Sequence, residues 1–95
     1  MTLSDKRAEL LAWFAAEMAA KLELRQDRGD NWRDKGAGWL LRAITDDLGE
    51  IDELQAAIED EGWANVIEEA ADVAIYCAFI ADMARGMMGE EAGNE

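Results

Sequence analysis

Residues 66–84, VIEEAADVAIYCAFIADMA, are apolar over most of their length, yet Asp72 sits in the middle of them. A carboxylate in apolar surroundings is costly unless a proton or a cation accompanies it. From Ala70 to Ala81 a helix built on this run is apolar nearly all round, Asp72 excepted. Such a helix needs cover on several sides. A single neighbouring arm cannot provide that, so the run predicts a homo-oligomer.

The rest of the chain is laid out around this helix. There is no proline, and alanine, leucine, glutamate and aspartate dominate, which favours helices. Three helices are predicted, over about residues 2–25, 39–58 and 63–88, with no strand pattern and no internal repeat. In the first, Thr2 or Ser4 suits the N-cap, and Leu10, Leu11, Phe14, Met18 and Leu22 recur at helical spacing as a core-facing stripe. Residues 59–62, EDEG, form a tight polar break. The fold class is all-α in one domain, residues 1–88, followed by a flexible acidic tail, 89–95. The expected assembly is a dimer with four central helices, with a tetramer possible.

Charge and length narrow the function classes. The formal charge of −13 argues against nucleic-acid backbones and anionic membrane surfaces as partners. No apolar run reaches membrane-spanning length, and the N-terminus lacks a signal-peptide layout. The single cysteine, Cys77, cannot form an internal disulfide, and it points away from Asp72 as a small buried apolar residue. These features predict a cytoplasmic protein.

Helical phase places further acids beside Asp72. On a continuous second helix, Asp47 falls within about 40° of Leu40, Ile51, Leu54 and Ile58, with Glu50 at the edge of that face. Arg42, Thr45, Gly49, Asp52 and Glu53 project to the far side. On the third helix Glu69 and Tyr76 lie within about 60° of Asp72, followed by Phe79 and Met83, with Asn65 on the same line. Folding the chain near Glu59 and Asp60 sets Asp47 opposite Asp72 and Glu50 opposite Glu69. Helices pack about 8–10 Å apart, so four carboxylates can converge. Their mutual repulsion requires protons or cations, and an all-oxygen set suits Mg²⁺, with Mn²⁺ possible. The chain has no histidine, which counts against zinc catalysis. Magnesium held by carboxylates points toward phosphate chemistry.

Residues 26–38 form a loop longer than the roughly 2–8 residues usual between helices. Lys21, Arg25, Arg28, Arg33 and Lys35, in and beside it, are five of the nine cations in the chain. Either they balance neighbouring acids or they receive an anion. Trp32, Trp39, Trp63 and Tyr76 offer stacking faces. Tyr76, one turn beyond Asp72, and Trp32, in the loop, are the leading candidates, while Trp39 and Trp63 suit helix-end packing.

The blocks DDLGEIDEL, residues 46–54, and EEAADVAIY, residues 68–76, resemble the MazG-like all-α nucleoside triphosphate pyrophosphohydrolases. That family carries EExxE, a spacer, then ExxD. Here the first block reads Asp46-Asp47-Leu48-Gly49-Glu50 and the second Glu69-Ala70-Ala71-Asp72, with two glutamates replaced by aspartate. The resemblance spans roughly residues 17–85 and is similar to phage-type and mobile-element members. The basic C-terminal segment of longer members is missing here.

The resemblance implies Mg²⁺ held by Asp47, Glu50, Glu69 and Asp72. It also implies attack of water on the α-phosphorus of a nucleoside triphosphate, with Asp46 and Glu50 in catalytic roles. The substrate's outer phosphates would meet Lys35, Arg33 or Arg28, with Lys21 and Arg25 as weaker candidates. The base would meet Trp32, Tyr76 or Asn65. Two other readings stay open: a non-catalytic acidic module that oligomerises or binds a basic partner, and a nucleotide sensor with weak turnover.

Overall fold

The computed structural model describes residues 2–25 and 31–89. Helix α1, Asp5–Leu24, begins where Ser4 Oγ accepts the Arg7 N–H at 3.2 Å, and Asp5 places negative charge at the positive end of the helix. A 3-10 turn, Trp32–Asp34, precedes α2, Ala37–Thr45. Helices α3, Glu50–Glu59, and α4, Trp63–Met87, complete the chain. The fold is all-helical, with no strand among the described residues. No helix among them is long and apolar enough to cross a membrane.

The three-arm plan is present, but its middle arm is broken. Helix α2 stops at Thr45, and Leu48 adopts a left-handed φ of 64°. The Leu48 N–H donates to Asp52 Oδ2 at 2.8 Å, and the Gly49 N–H to the Asp46 carbonyl at 2.8 Å. A Cβ on Gly49 would lie 2.7 Å from the Ala43 oxygen and 2.8 Å from the Asp46 oxygen, so only glycine fits. The break replaces the continuous helix expected over residues 39–58 and resets the phase of everything after it.

The α3–α4 turn falls where the polar break was expected. Glu61 takes the left-handed position, φ 55°. Its N–H donates to the Ile58 carbonyl at 3.0 Å, and the Gly62 N–H to the Ala57 carbonyl at 3.1 Å. These paired bonds satisfy the last carbonyls of α3 and reverse the chain.

Helix α4 is the central element, contacting α1, α2, α3 and the 3-10 turn. The buried apolar residues are Leu40, Ile44, Ala57, Ala71 and Ile75. Several expected core positions lie elsewhere. Leu10, Leu11 and Leu22 of α1 are exposed, and Phe14 and Met18 are half-buried. Ile51 and Ile58 are exposed and Leu54 is half-buried, because after the break α3 turns Ala57 to the interior. Cys77 is exposed as well, on a side of α4 that one chain leaves uncovered.

Candidate metal centre

Asp72 is 4% exposed and is the buried charged residue among those described. Its cations come from α1. Lys21 Nζ lies 3.1 Å from Oδ1 and 3.2 Å from Oδ2, and Arg25 Nη1 lies 3.4 Å from Oδ1. Lys21 lies in the last turn of α1 and Arg25 is its C-cap residue, so both reach Asp72 from the same end of the helix. Oδ1 has these two charges in reach but no aligned hydrogen bond, so its neutralisation is electrostatic.

Two glutamates join Asp72. One oxygen from each of Glu50, Glu69 and Asp72 can be chosen so that all lie within 4.8 Å of one another. The start of α3 supplies Glu50, and α4 supplies Glu69 and Asp72 one turn apart. Buried Oε2 atoms on both Glu50 and Glu69 have no hydrogen-bond partner. A buried acceptor without a donor is destabilising, so these oxygens are suited to a cation.

The electrostatics agree with this geometry. Burial, then a hydrogen bond with Glu53, then the charges of Glu53, Asp72 and Glu50 raise the Glu69 carboxyl to about 7. Burial first, then the charges of Asp72 and Glu53, raise Glu50, and Arg25 partly opposes them. Glu53 was expected on the far side of the middle helix. The break at residues 46–49 turns α3 so that Glu53 faces Glu69.

The same break removes Asp47 from the group. Four carboxylates were expected to converge, and three do. Asp46 and Asp47 are exposed in the interhelical turn, where with Trp39, Arg42 and Leu48 they line an open hollow.

The expected nucleotide contacts are dispersed. Trp32 stacks on Phe79, with ring centroids 4.6 Å apart and an interplanar angle of 9°. Its Nε1 donates to Asp82 Oδ2 at 3.1 Å. Arg33 also donates to Asp82, through Nε at 2.8 Å, and Arg85 completes the cluster. Hydrogen bonds from Arg33, Arg85 and Trp32 hold Asp82 down to about 2. The 3-10 turn is thereby fastened to α4, beyond the half-buried Tyr76, which meets Phe79 edge-on at 6.1 Å. Lys35 Nζ sits 5.2 Å from the Trp39 ring, and Asn65 is exposed in the first turn of α4. Arg28 lies outside the described residues. Among the described cations of that cluster, Lys21 and Arg25, the weaker candidates, are the ones that reach Asp72. No sequence pattern tied them to Asp72, 51 residues from Lys21, and only the docking of α1 on α4 makes the link.

No family model matches the chain, and no solved structure matches it. A protein of Archaeoglobus fulgidus described as an uncharacterized protein is 37% identical over 71 residues, covering 70% of this chain and 73% of that protein.

Proposed function

This chain belongs to one family with that archaeal protein, and we propose that it is a Mg²⁺-dependent nucleoside triphosphate pyrophosphohydrolase of MazG-like type. The observation that carries the reading is the meeting of Glu50, Glu69 and Asp72 oxygens within 4.8 Å, two of these residues bearing buried oxygens without donors. Oxygens this close could converge on one small ion if the carboxylates moved inward. Mn²⁺ suits the same donors. Glu50, Glu69 and Asp72 would hold the ion. When bound, it supplies charge neutralisation for a triphosphate and acidifies a coordinated water.

The chain's own groups would do the rest. Glu50, beside the ion, would take the proton of the attacking water. The water oxygen bonds to the α-phosphorus and the α–β bridging bond breaks. The products are a nucleoside monophosphate and pyrophosphate. Asp46 and Asp47, on the exposed turn leading into Glu50, flank the entrance in this reading. Among the described residues, Lys21 and Arg25 are the cations at the cluster that could meet phosphate oxygens.

The active form is proposed to be a homodimer or tetramer. Leu10, Leu11, Trp13, Leu22, Trp39 and Trp63 are all exposed in a single chain, alongside Cys77 on α4. So many exposed large apolar side chains suit a covered interface better than open water.

A second reading has its own support. Lys21 and Arg25 already neutralise Asp72 without any metal, which suits a non-catalytic acidic helical module. Incubation with each dNTP and NTP in Mg²⁺, with pyrophosphate measured, separates the two. Release that is lost in Asp72→Ala supports the enzyme. Thermal stabilisation by nucleotide without release supports a nucleotide sensor, and neither signal with Mg²⁺ or Mn²⁺ leaves the helical module.

A further inference from the structure

The cluster contains an internal imbalance. Asp72 has two cations at its oxygens, whereas the buried Glu50 and Glu69 Oε2 atoms have no donor. Lys21 Nζ is within 3.2 Å of both Asp72 oxygens, the position a cation shared by them would take. Its side chain is 17% exposed, compared with 37% for Arg25, so it is the more enclosed of the two.

An ammonium and a divalent ion repel strongly at such range in a partly desolvated site. A metal ligated by Asp72 together with the glutamates would therefore compete with the ammonium for the same carboxylate. Without metal, loss of the ammonium would leave a buried carboxylate poorly compensated, which destabilises the fold.

We propose that Lys21 is the resident counter-ion of Asp72 and that a divalent cation entering the Glu50–Glu69–Asp72 cluster exchanges with it. The proposal rests on the cation-binding reading above and adds a positioning residue to it. Lys21 holds the metal-free chain together and sets the concentration at which metal takes over. Arg25 stays beside Oδ1 as a second source of positive charge, so a chain lacking the ammonium retains partial compensation.

The chain has three lysines, Lys6, Lys21 and Lys35, so side-chain signals from lysine labelled with ¹³C and ¹⁵N are separable. Titrating the full-length chain with Mg²⁺ should shift the Lys21 signal saturably and leave Lys6 in place. Lys21→Met should bind Mn²⁺ about tenfold more tightly than the parent chain, and Lys21→Arg should stay near the parent value. Metal should also raise the melting temperature of Lys21→Met more than that of the parent. Unchanged or weaker Mn²⁺ binding by Lys21→Met overturns the exchange, as does a Lys21 signal unmoved at saturating Mg²⁺.

If the parent chain binds Mn²⁺ through Glu69 but Lys21→Met gains nothing, the exchange alone falls. If the parent binds no Mn²⁺, the cation reading falls with it. Should Lys21→Met not fold, the lysine titration of the parent chain decides.

Discussion

The carboxyl of Glu69 on α4 faces that of Glu53 on α3, near enough for a bridging proton to link the two. Such a bond needs a proton on one of them, and burial places that demand on Glu69, raised to about 7. In the unfolded chain Glu69 titrates near 4.5. Between these values the folded chain binds more protons than the unfolded one, so its stability falls as pH rises. The contribution is fully present below 4.5 and lost as pH passes about 7. Urea midpoints of the metal-free chain should therefore decline over this window. Glu69→Gln should flatten the decline, and Mg²⁺ should raise the midpoints above pH 7. A midpoint that rises through the window and is indifferent to Glu69→Gln would contradict this.

Gly49 sits against the carbonyl oxygens of Ala43 and Asp46, at a distance no Cβ tolerates. Gly49→Ala should cost about 2 kcal/mol, in the range of strained or overpacked sites. Because Glu50 follows directly, the variant should also weaken Mn²⁺ binding. At Gly38 a Cβ meets only Arg42 Nη1 at 3.6 Å, so Gly38→Ala is the control. It should be neutral or stabilising by up to roughly 1 kcal/mol, since alanine loses less backbone entropy in a helix. Thermal denaturation of the two variants checks both.

Glu61 holds a left-handed conformation at the end of α3, where glycine is free of the Cβ penalty. Glu61→Gly should stabilise the chain by about 0.5–1 kcal/mol, the penalty being partly offset by the entropy glycine loses on folding. It should leave metal binding unchanged, because the turn lies at the far end of α3 from Glu50. Melting temperature and Mn²⁺ affinity measured together test this.

Asp82 ties the 3-10 turn to α4 through Trp32 and Arg33. Asp82→Ala should release that turn, and limited trypsin digestion should then cut after Arg33 or Lys35 faster than in the parent chain. The tie rests on a carboxylate held down to about 2. Its contribution to stability is therefore present above the ordinary aspartate value of 3.8 and lost only as pH falls through about 2. Unchanged cleavage would mean that the Trp32–Phe79 stack suffices without Asp82.

Much of this architecture was legible in the residues. The Ser4 cap, the reversal near Glu61 and the long α4 follow from capping chemistry, turn residues and apolar periodicity. The convergence of Glu50, Glu69 and Asp72 followed from their spacing and the antiparallel turn. The exchange of Asp47 for Glu53 beside the site did not, because phase was carried through a helix that in fact breaks. The signal was present as Gly49, a poor helix interior residue beside two aspartates. Its reading depended on a close backbone approach that only the folded chain has. Lys21 and Arg25 illustrate the opposite limit. Their charge was visible, but their partner lies on an element reached only by tertiary docking.

The central claim is that the α3 and α4 carboxylates bind one divalent ion in common. Electron paramagnetic resonance of free Mn²⁺ during titration of the full chain measures this without any substrate. The account predicts a saturable site that Mg²⁺ displaces and that is lost in both Glu69→Gln and Asp72→Asn. Binding of equal strength in Glu69→Gln, Asp72→Asn and the parent chain would contradict it.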